Sequence, residues 1–454
     1  MKITFLGATK TVTGSKYMVE DGNKRILIDC GLFQGIKELR LRNWVRFPVP
    51  PSSIDAIVLT HAHLDHSGYI PLLVHDGFRG NIYCSEGTAD LCRILLPDSG
   101  HIQEEDAEHA NRHSYSKHTS ALPLYTERDA QDSLQYLKPV SFGDMHALGE
   151  NMGFSLHHAG HIIGASFVRL VGDGGTSILF SGDLGRANNP IIKPPAQIQE
   201  ADYIVIESTY GDRLHPSDNS SEEIRKIIQE TIARGGSVLI PAFAVGRAQE
   251  IMYYIYMLKS QGLLPAALPV YLDSPMAENA SALLAKHMSD HLLSKELCNK
   301  VCSVAHYVRS QEESKALDAN PTVPKIIISA SGMMTGGRIL HHLKHYAGDR
   351  RNTILLSGYQ AEGTRGARLL QGERELKFHG RLWPVNARIE KIDSMSAHAD
   401  YSETLSWLCH FTRAPRKIFI THGEPAAAAS LKEKIEKELG WNACIPEYMH
   451  KEEI

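Results

Sequence analysis

The sequence predicts an α/β protein in which one domain is interrupted by a second, built on a parallel sheet flanked by helices. Three observations carry this. Within residues 1–211, apolar β-branched runs end repeatedly in His, Asp or Glu. From 212 to 372, strand-like runs alternate with helical stretches, the pattern of parallel strands joined by helices. From 373 to 454, strand-ending histidines return. The expected organisation is therefore one domain made of 1–211 and 373–454, with 212–372 inserted.

The early strands are expected at Lys2–Leu6, Lys16–Glu20 and Arg25–Asp29, with Asp21-Gly22-Asn23 as a hairpin turn. Asp29 follows Ile26-Leu27-Ile28. Its carboxylate can accept hydrogen bonds from a neighbouring loop, or simply cap the strand end. The buried run Ile54–Leu59 then leads into Thr60-His61-Ala62-His63-Leu64-Asp65-His66, with three imidazoles and a carboxylate in six residues. On a strand-to-helix loop, alternate side chains can point at two nearby centres. Imidazole suits zinc, and the carboxylate can serve a second ion.

Further along, the acidic stretch around Asp98, His101, Glu104, Glu105, Asp106, Glu108 and His109 reads as the solvated face of a helix. His157-His158-Ala159-Gly160-His161 offers His161, at the turn, as a metal ligand, with His158 as second choice. Asp183 ends the strand Ser177–Phe180 and has one oxygen for each of two ions. Glu207 ends another strand. The chain holds 24 histidines, more than such a site needs. His109, His113, His118, His341, His342 and His345 are expected at the surface or in packing.

In the insertion, a helix is expected over 220–234. Strand-to-helix switches follow at 237–247, 269–277 and 325–338, and the strand Thr353–Leu356 leads into Ser357-Gly358-Tyr359-Gln360. Helix starts at such Gly/Ser-rich strand ends favour phosphate. Ser331, Gly332, Arg338, Ser357, Gly358 and Tyr359 are candidates for a substrate phosphate cradle, against ordinary turn chemistry. No G-x-G-x-x-G or Walker sequence points to a nucleotide cofactor. The tail brings His398 in Ser-Ala-His-Ala-Asp, His422 in Thr-His-Gly-Glu and a closing helix near 426–439.

Composition narrows the class. A net charge of −4 argues against a protein that coats nucleic acid through bulk charge, but allows a nuclease whose positive charge sits in metal ions. No apolar run approaches the ~20 residues of a membrane span. The strand-like start, Met1–Gly7, lacks a signal-peptide pattern. Seven scattered cysteines, odd in number and without a C-x-x-C pair, suit reduced thiols. The expected location is cytoplasmic.

The H-x-H-x-D-H run closely resembles the signature of the metallo-β-lactamase superfamily, with His63 where flavodiiron oxidoreductases carry Glu. Glu207 in Glu-Ser-Thr-Tyr-Gly, His398 and His422 look like motifs A, B and C of its β-CASP branch. The whole is similar to prokaryotic relatives of the endonuclease subunit of the cleavage and polyadenylation specificity factor. The resemblance implies an αββα sandwich split by a β-CASP domain, an active site in the cleft between them, and zinc-dependent cleavage of RNA. It implies two zinc ions, one on His61, His63 and His161, the other on Asp65, His66 and His422, with Asp183 bridging. It makes Asp65, Asp183, Glu207 and His398 the catalytic group, with His398 giving a proton to the leaving oxygen and Glu207 holding it. Histidine at motif C is similar to RNA-acting members, where DNA-acting ones tend to have Val. Nothing resembles the N-terminal KH domains of archaeal members or the C-terminal extension of RNase J. RNA is the expected partner, with a homodimer as the oligomer to test. A DNA nuclease of the same fold stays open, since the chemistry ignores the 2′-OH. A small-molecule hydrolase would need neither the insertion nor the Glu207–His398 pair. A non-catalytic scaffold would have lost ligands.

Overall fold

The computed structural model describes residues 1–112, 120–216, 219–361 and 363–454, so His113 and His118 lie outside the described residues. It divides into two compact units, Met1–Leu214 with His398–Ile454, and His215–Ala397.

The first unit contains two seven-stranded sheets. One runs in the order Lys451–Glu453, Lys2–Phe5, Tyr17–Asp21, Lys24–Ile28, Ala56–Val58, Asn81–Cys84, Leu137–Pro139. The other runs Ala443–Cys444, Lys417–Thr421, Tyr203–Glu207, Ser177–Phe180, Ser166–Val171, Gly153–His158, His146–Ala147. The inner faces share one core, with Phe5, Ile26 and Val58 from the first sheet against Phe154, Phe180 and Phe419 from the second. Burying each such side chain contributes about 1.5–3 kcal/mol. The helices Glu86–Arg112 and Pro425–Lys434 pack on the first and second sheet respectively. The charged positions of Glu86–Arg112 at His101, Glu105, Asp106, Glu108 and His109 are exposed, as a solvated helix face requires. Among the described residues, no helix is long and apolar enough to cross a membrane.

The second unit has a six-stranded sheet, parallel throughout, in the order His306–Tyr307, Val270–Asp273, Ile326–Ser329, Val238–Pro241, Thr353–Ser357, Arg388–Ile392. Its central strands are apolar on both faces because both are covered. Ile326 and Ile328 enter one core and Ile327 the other. This unit runs on to Ala397, past the expected end at 372. The strand Arg388–Ile392 pairs along its length with Thr353–Ser357, and the hairpin Glu375–Phe378/Arg381–Pro384 puts Leu376 and Phe378 into the second unit's core. A strand-like stretch of sequence does not say which sheet it joins.

His342, expected at the surface or in packing, is fully buried. Its Nε2 is 2.8 Å from Asp273 Oδ2, and its Nδ1 is 2.8 Å from Asp318 Oδ1. Arg338 and Ser314 also bind Asp273, and His345 lies 3.8 Å from Asp318. Burial alone would depress the imidazole, but the two carboxylates outweigh it and raise it from 6.5 to about 9. A folded-state value above the unfolded one stabilises the fold fully below about 6.5, and that contribution is lost as pH climbs through about 9. The urea midpoint of the wild type should therefore fall between pH 6.5 and 9 relative to His342→Asn. Parallel pH profiles for the two proteins would contradict a charged His342.

Candidate metal centre

Four backbone constraints assemble the site within the first unit. The loop after Ala56–Val58 is pinned from below, where Ser15 N–H donates to Asp65 O, Cys30 N–H to His66 O and Leu32 N–H to Leu64 O. That approach requires Gly31, since a Cβ there would stand 1.6 Å from Asp65 O. Parallel pairing of Tyr203–Glu207 with Lys417–Thr421 sets Glu207 opposite Thr421, so His422 emerges beside the strand that carries Glu207. His422 itself sits at φ +46, held by its N–H to Ala8 O and by Ser208 N–H to its carbonyl. Finally, Ala399 N–H donates to Leu184 O and Asp400 caps the helix Tyr401–Leu408, which fixes the backbone immediately after His398.

The imidazoles and carboxylates converge as two clusters. His61, His63, His161 and Asp183 present ligand atoms within 4.8 Å of one another, and so do Asp65, His66 and His422. His61 Nε2 and His161 Nε2 lie 3.1 and 3.2 Å from His63 Nδ1. His66 Nε2 lies 3.2 Å from His422 Nε2, which is 3.3 Å from Asp65 Oδ2. Asp183 faces both. Its Oδ2 is 3.3 Å from both His61 Nε2 and His161 Nε2, and its Oδ1 is 3.1 Å from His66 Nε2. That Oδ1 is buried and makes no well-directed hydrogen bond. Ring nitrogens packed this closely, around an orphaned buried carboxylate oxygen, suit a bound metal cation better than shared protons.

Burial pushes His63 down to about 3 and His161 well below its ordinary value, so both rings are held neutral. Burial would raise Asp183, but His422, His66 and His61 outweigh it and hold the carboxyl well below its usual range. His66 goes the other way. Asp183, Asp29 and Asp65, all close to its ring, overcome its burial and raise it.

Asp29 supports the loop directly. Its Oδ1 accepts from Thr60 N–H at 2.7 Å, and its Oδ2 accepts from Thr60 Oγ1 at 2.8 Å and lies 2.7 Å from His66 Nδ1. A carboxylate on Nδ1 leaves Nε2 to face the cluster. Thr60 and Thr209 are supporting residues that sequence reasoning did not single out. Thr60 Oγ1 lies 3.1 Å from His61 Nδ1, and Thr209 Oγ1 lies 3.3 Å from His422 Nδ1. Each lies in or beside a motif, which was the available signal. His158 is outside both clusters and stacks on Phe142 with centroids 3.9 Å apart.

Beside the clusters, His398 Nδ1 is 2.9 Å from Glu207 Oε1, while its Nε2 is 4.0 Å from Asp183 Oδ2. Glu207 is fixed by N–H donors from Leu184 to Oε1 and Thr209 to Oε2. Burial opposes charge on His398, yet Glu207 and Asp183 raise it to about 9.

The cradle candidates belong to the second unit. Ser331 Oγ accepts from Thr335 N–H and Gly336 N–H, and Arg338 is engaged by Asp273 and Val308 O. Ser357 Oγ is buried and makes no hydrogen bond with the described residues. Gly358, at φ +105, faces the Arg247 guanidinium, and Gly332 packs against Phe243. Tyr359 follows Gly358 in the same loop.

Three family descriptions match the chain: the metallo-beta-lactamase superfamily over residues 11–232, the Beta-Casp domain over 248–369, and a Zn-dependent metallo-hydrolase RNA specificity domain over 383–446. "Ribonuclease TTHA0252" of Thermus thermophilus is 36% identical, over 93% of each chain. "Transcription termination factor FttA" of Methanocaldococcus jannaschii is 31% identical, over 98% of this chain and 70% of that one. A crystal structure of a protein of unknown function from Enterococcus faecalis shares the fold, with a TM-score of 0.54 at 12% identity and 99% coverage of both chains.

If Asp29 orients His66, then Asp29→Asn should weaken metal binding by about 10–100-fold. Competition against a fluorescent chelator measures this without reference to turnover. Unchanged affinity would show that the loop holds His66 unaided.

Proposed function

We propose that this chain, which belongs to the β-CASP branch of the metallo-β-lactamase superfamily, is a zinc-dependent ribonuclease that hydrolyses phosphodiester bonds of single-stranded RNA. The observation that carries the reading is the Glu207–His398 pair beside two imidazole clusters that Asp183 faces with one oxygen each. A simple metallo-hydrolase would have the clusters without the pair. The RNA specificity domain match and the ribonuclease among the relatives support the substrate class. A cytoplasmic location and a homodimer belong to the same reading.

The residues divide the work. His61, His63 and His161 would hold one zinc ion, and Asp65, His66 and His422 a second, with Asp183 between them. When bound, the two ions supply Lewis acidity toward the phosphodiester and acidify the attacking water. Burial of Asp183, His61 and His66 keeps bulk water from screening that field. Glu207 accepts the Nδ1–H of His398, so the ring's Nε2–H points toward Asp183 and the reacting region. There it can protonate the departing ribose oxygen. Glu207 is held by two backbone donors and cannot follow the ring if it swings away.

His398→Ala should lower the rate of RNA cleavage by roughly 10²–10⁴-fold while metal content stays near two per chain. Parallel loss of metal and activity would assign His398 to coordination instead. A substrate with a sulfur leaving atom should largely rescue the variant, because thiolate leaves without a proton. Water is the nucleophile in this reading, so end-labelled RNA should yield 5′-phosphate and 3′-OH termini. A 2′,3′-cyclic phosphate product would rule it out, and equal cleavage of matched DNA would widen the substrate class. Elemental analysis that finds a metal other than zinc would correct the cofactor alone.

A further inference from the structure

The segment Ile36–Arg46 of the first unit contributes no side chain to the metal-type clusters, yet it is held in a defined shape. Asn43 is buried and ties the segment back to the chain before it, donating its amide to Phe33 O at 2.7 Å and accepting Phe33 N–H at 2.9 Å. Arg42 lies over the rings of Tyr448 and Phe33, at 4.5 and 5.4 Å from their centroids. Phe47, which follows, is buried beside Tyr69. A segment anchored in this way presents its tip rather than losing it to motion.

What it presents is unusual for this molecule. Trp44 is 59% exposed, while Trp407 is buried and Trp383 and Trp441 are partly covered. Ile36, Leu41 and Val45 are also exposed around it. The same segment carries Lys37, Arg40, Arg42 and Arg46 against Glu38 alone, in a chain whose net charge is −4. Lys37, Arg40 and Arg46 are exposed and form no ion pair with described residues. An exposed indole between unneutralised cations is the chemistry of a single-stranded nucleic-acid contact, where a base stacks on the ring and cations meet the backbone phosphates. A protein partner would leave those cations desolvated unless it brought carboxylates to match.

The position agrees. Asn43 is clipped to Phe33, and Leu32 donates to Leu64 O on the loop that carries Asp65 and His66. The tip therefore stands on the same short run of backbone that supports the metal loop.

We propose that Trp44, flanked by Arg40 and Arg46, is a stacking platform for single-stranded RNA beyond the scissile bond. This rests on the ribonuclease reading and deepens it. The test compares wild type, Trp44→Ala, Trp44→Phe and the double variant Arg40→Ala/Arg46→Ala on an RNA of about 10 nucleotides and on a dinucleotide. Trp44→Ala should raise KM for the longer RNA by roughly 5- to 100-fold and leave kcat close to wild type. The ratio of KM values between long and short substrate should collapse, and Trp44→Phe should restore most of it. The arginine variant should reduce the salt dependence of binding, lowering the log–log slope by about one unit for each phosphate left without its cation. Wild-type KM for the longer RNA in Trp44→Ala would overturn the proposal. So would a changed sedimentation coefficient with intact RNA affinity, which would give the surface to a second copy of the chain. A wild-type protein that cuts the longer RNA while Trp44→Ala binds it normally sinks this inference alone. A wild type that cuts no RNA sinks both.

Discussion

The parallel register that places Glu207 opposite Thr421 is the constraint on which the site depends. It joins two stretches of backbone separated by the whole inserted unit, His215–Ala397. Once Lys417–Thr421 lies beside Tyr203–Glu207, the next residue, His422, must leave the sheet next to the residue after Glu207. Ser208 N–H then reaches the His422 carbonyl, and Gly423 must lack a side chain because a Cβ would meet Ser208 Oγ at 2.1 Å. A slip by one residue would turn the side chains of Lys417–Thr421 to opposite faces and take Phe419 out of the core. The apolar packing that fixes the sheet therefore also fixes the last imidazole of the second cluster.

A second constraint is electrostatic. The centre buries Asp29 and Asp183 almost completely, with His61, His66, His161 and His422 around them. Buried carboxylates without compensation are costly, and hydrogen bonds do not satisfy Asp183, whose Oδ1 has none among the described residues. The arrangement is one in which positive charge is needed for the fold's own sake. It also separates two jobs. Asp29 is fully occupied by Thr60 and His66, whereas Asp183 keeps both oxygens turned inward. The second unit handles a buried carboxylate differently. There Asp273 and Asp318 are neutralised by one imidazole, with Arg338 alongside.

The sequence by itself determined the chemistry. His61, His63, Asp65 and His66 sit on one loop, so their spacing alone shows that they can meet. Asp183, Glu207 and His422 each follow a run apolar enough to be a buried strand, and that local signal marks them as residues at a sheet edge. The parallel sheet of the second unit was equally legible, because strands covered on both faces must be apolar throughout, as Ile326-Ile327-Ile328 is. Tertiary structure decided what depends on pairing between distant segments. It gave Arg388–Ile392 to the second unit's sheet, since a half-exposed edge strand carries no record of its neighbour. It placed His342 between two buried carboxylates, and it left Trp44 exposed. Residue type and local period are written along the chain. Burial, partner and field are set only when separated segments come together, because each depends on atoms that the local sequence does not contain.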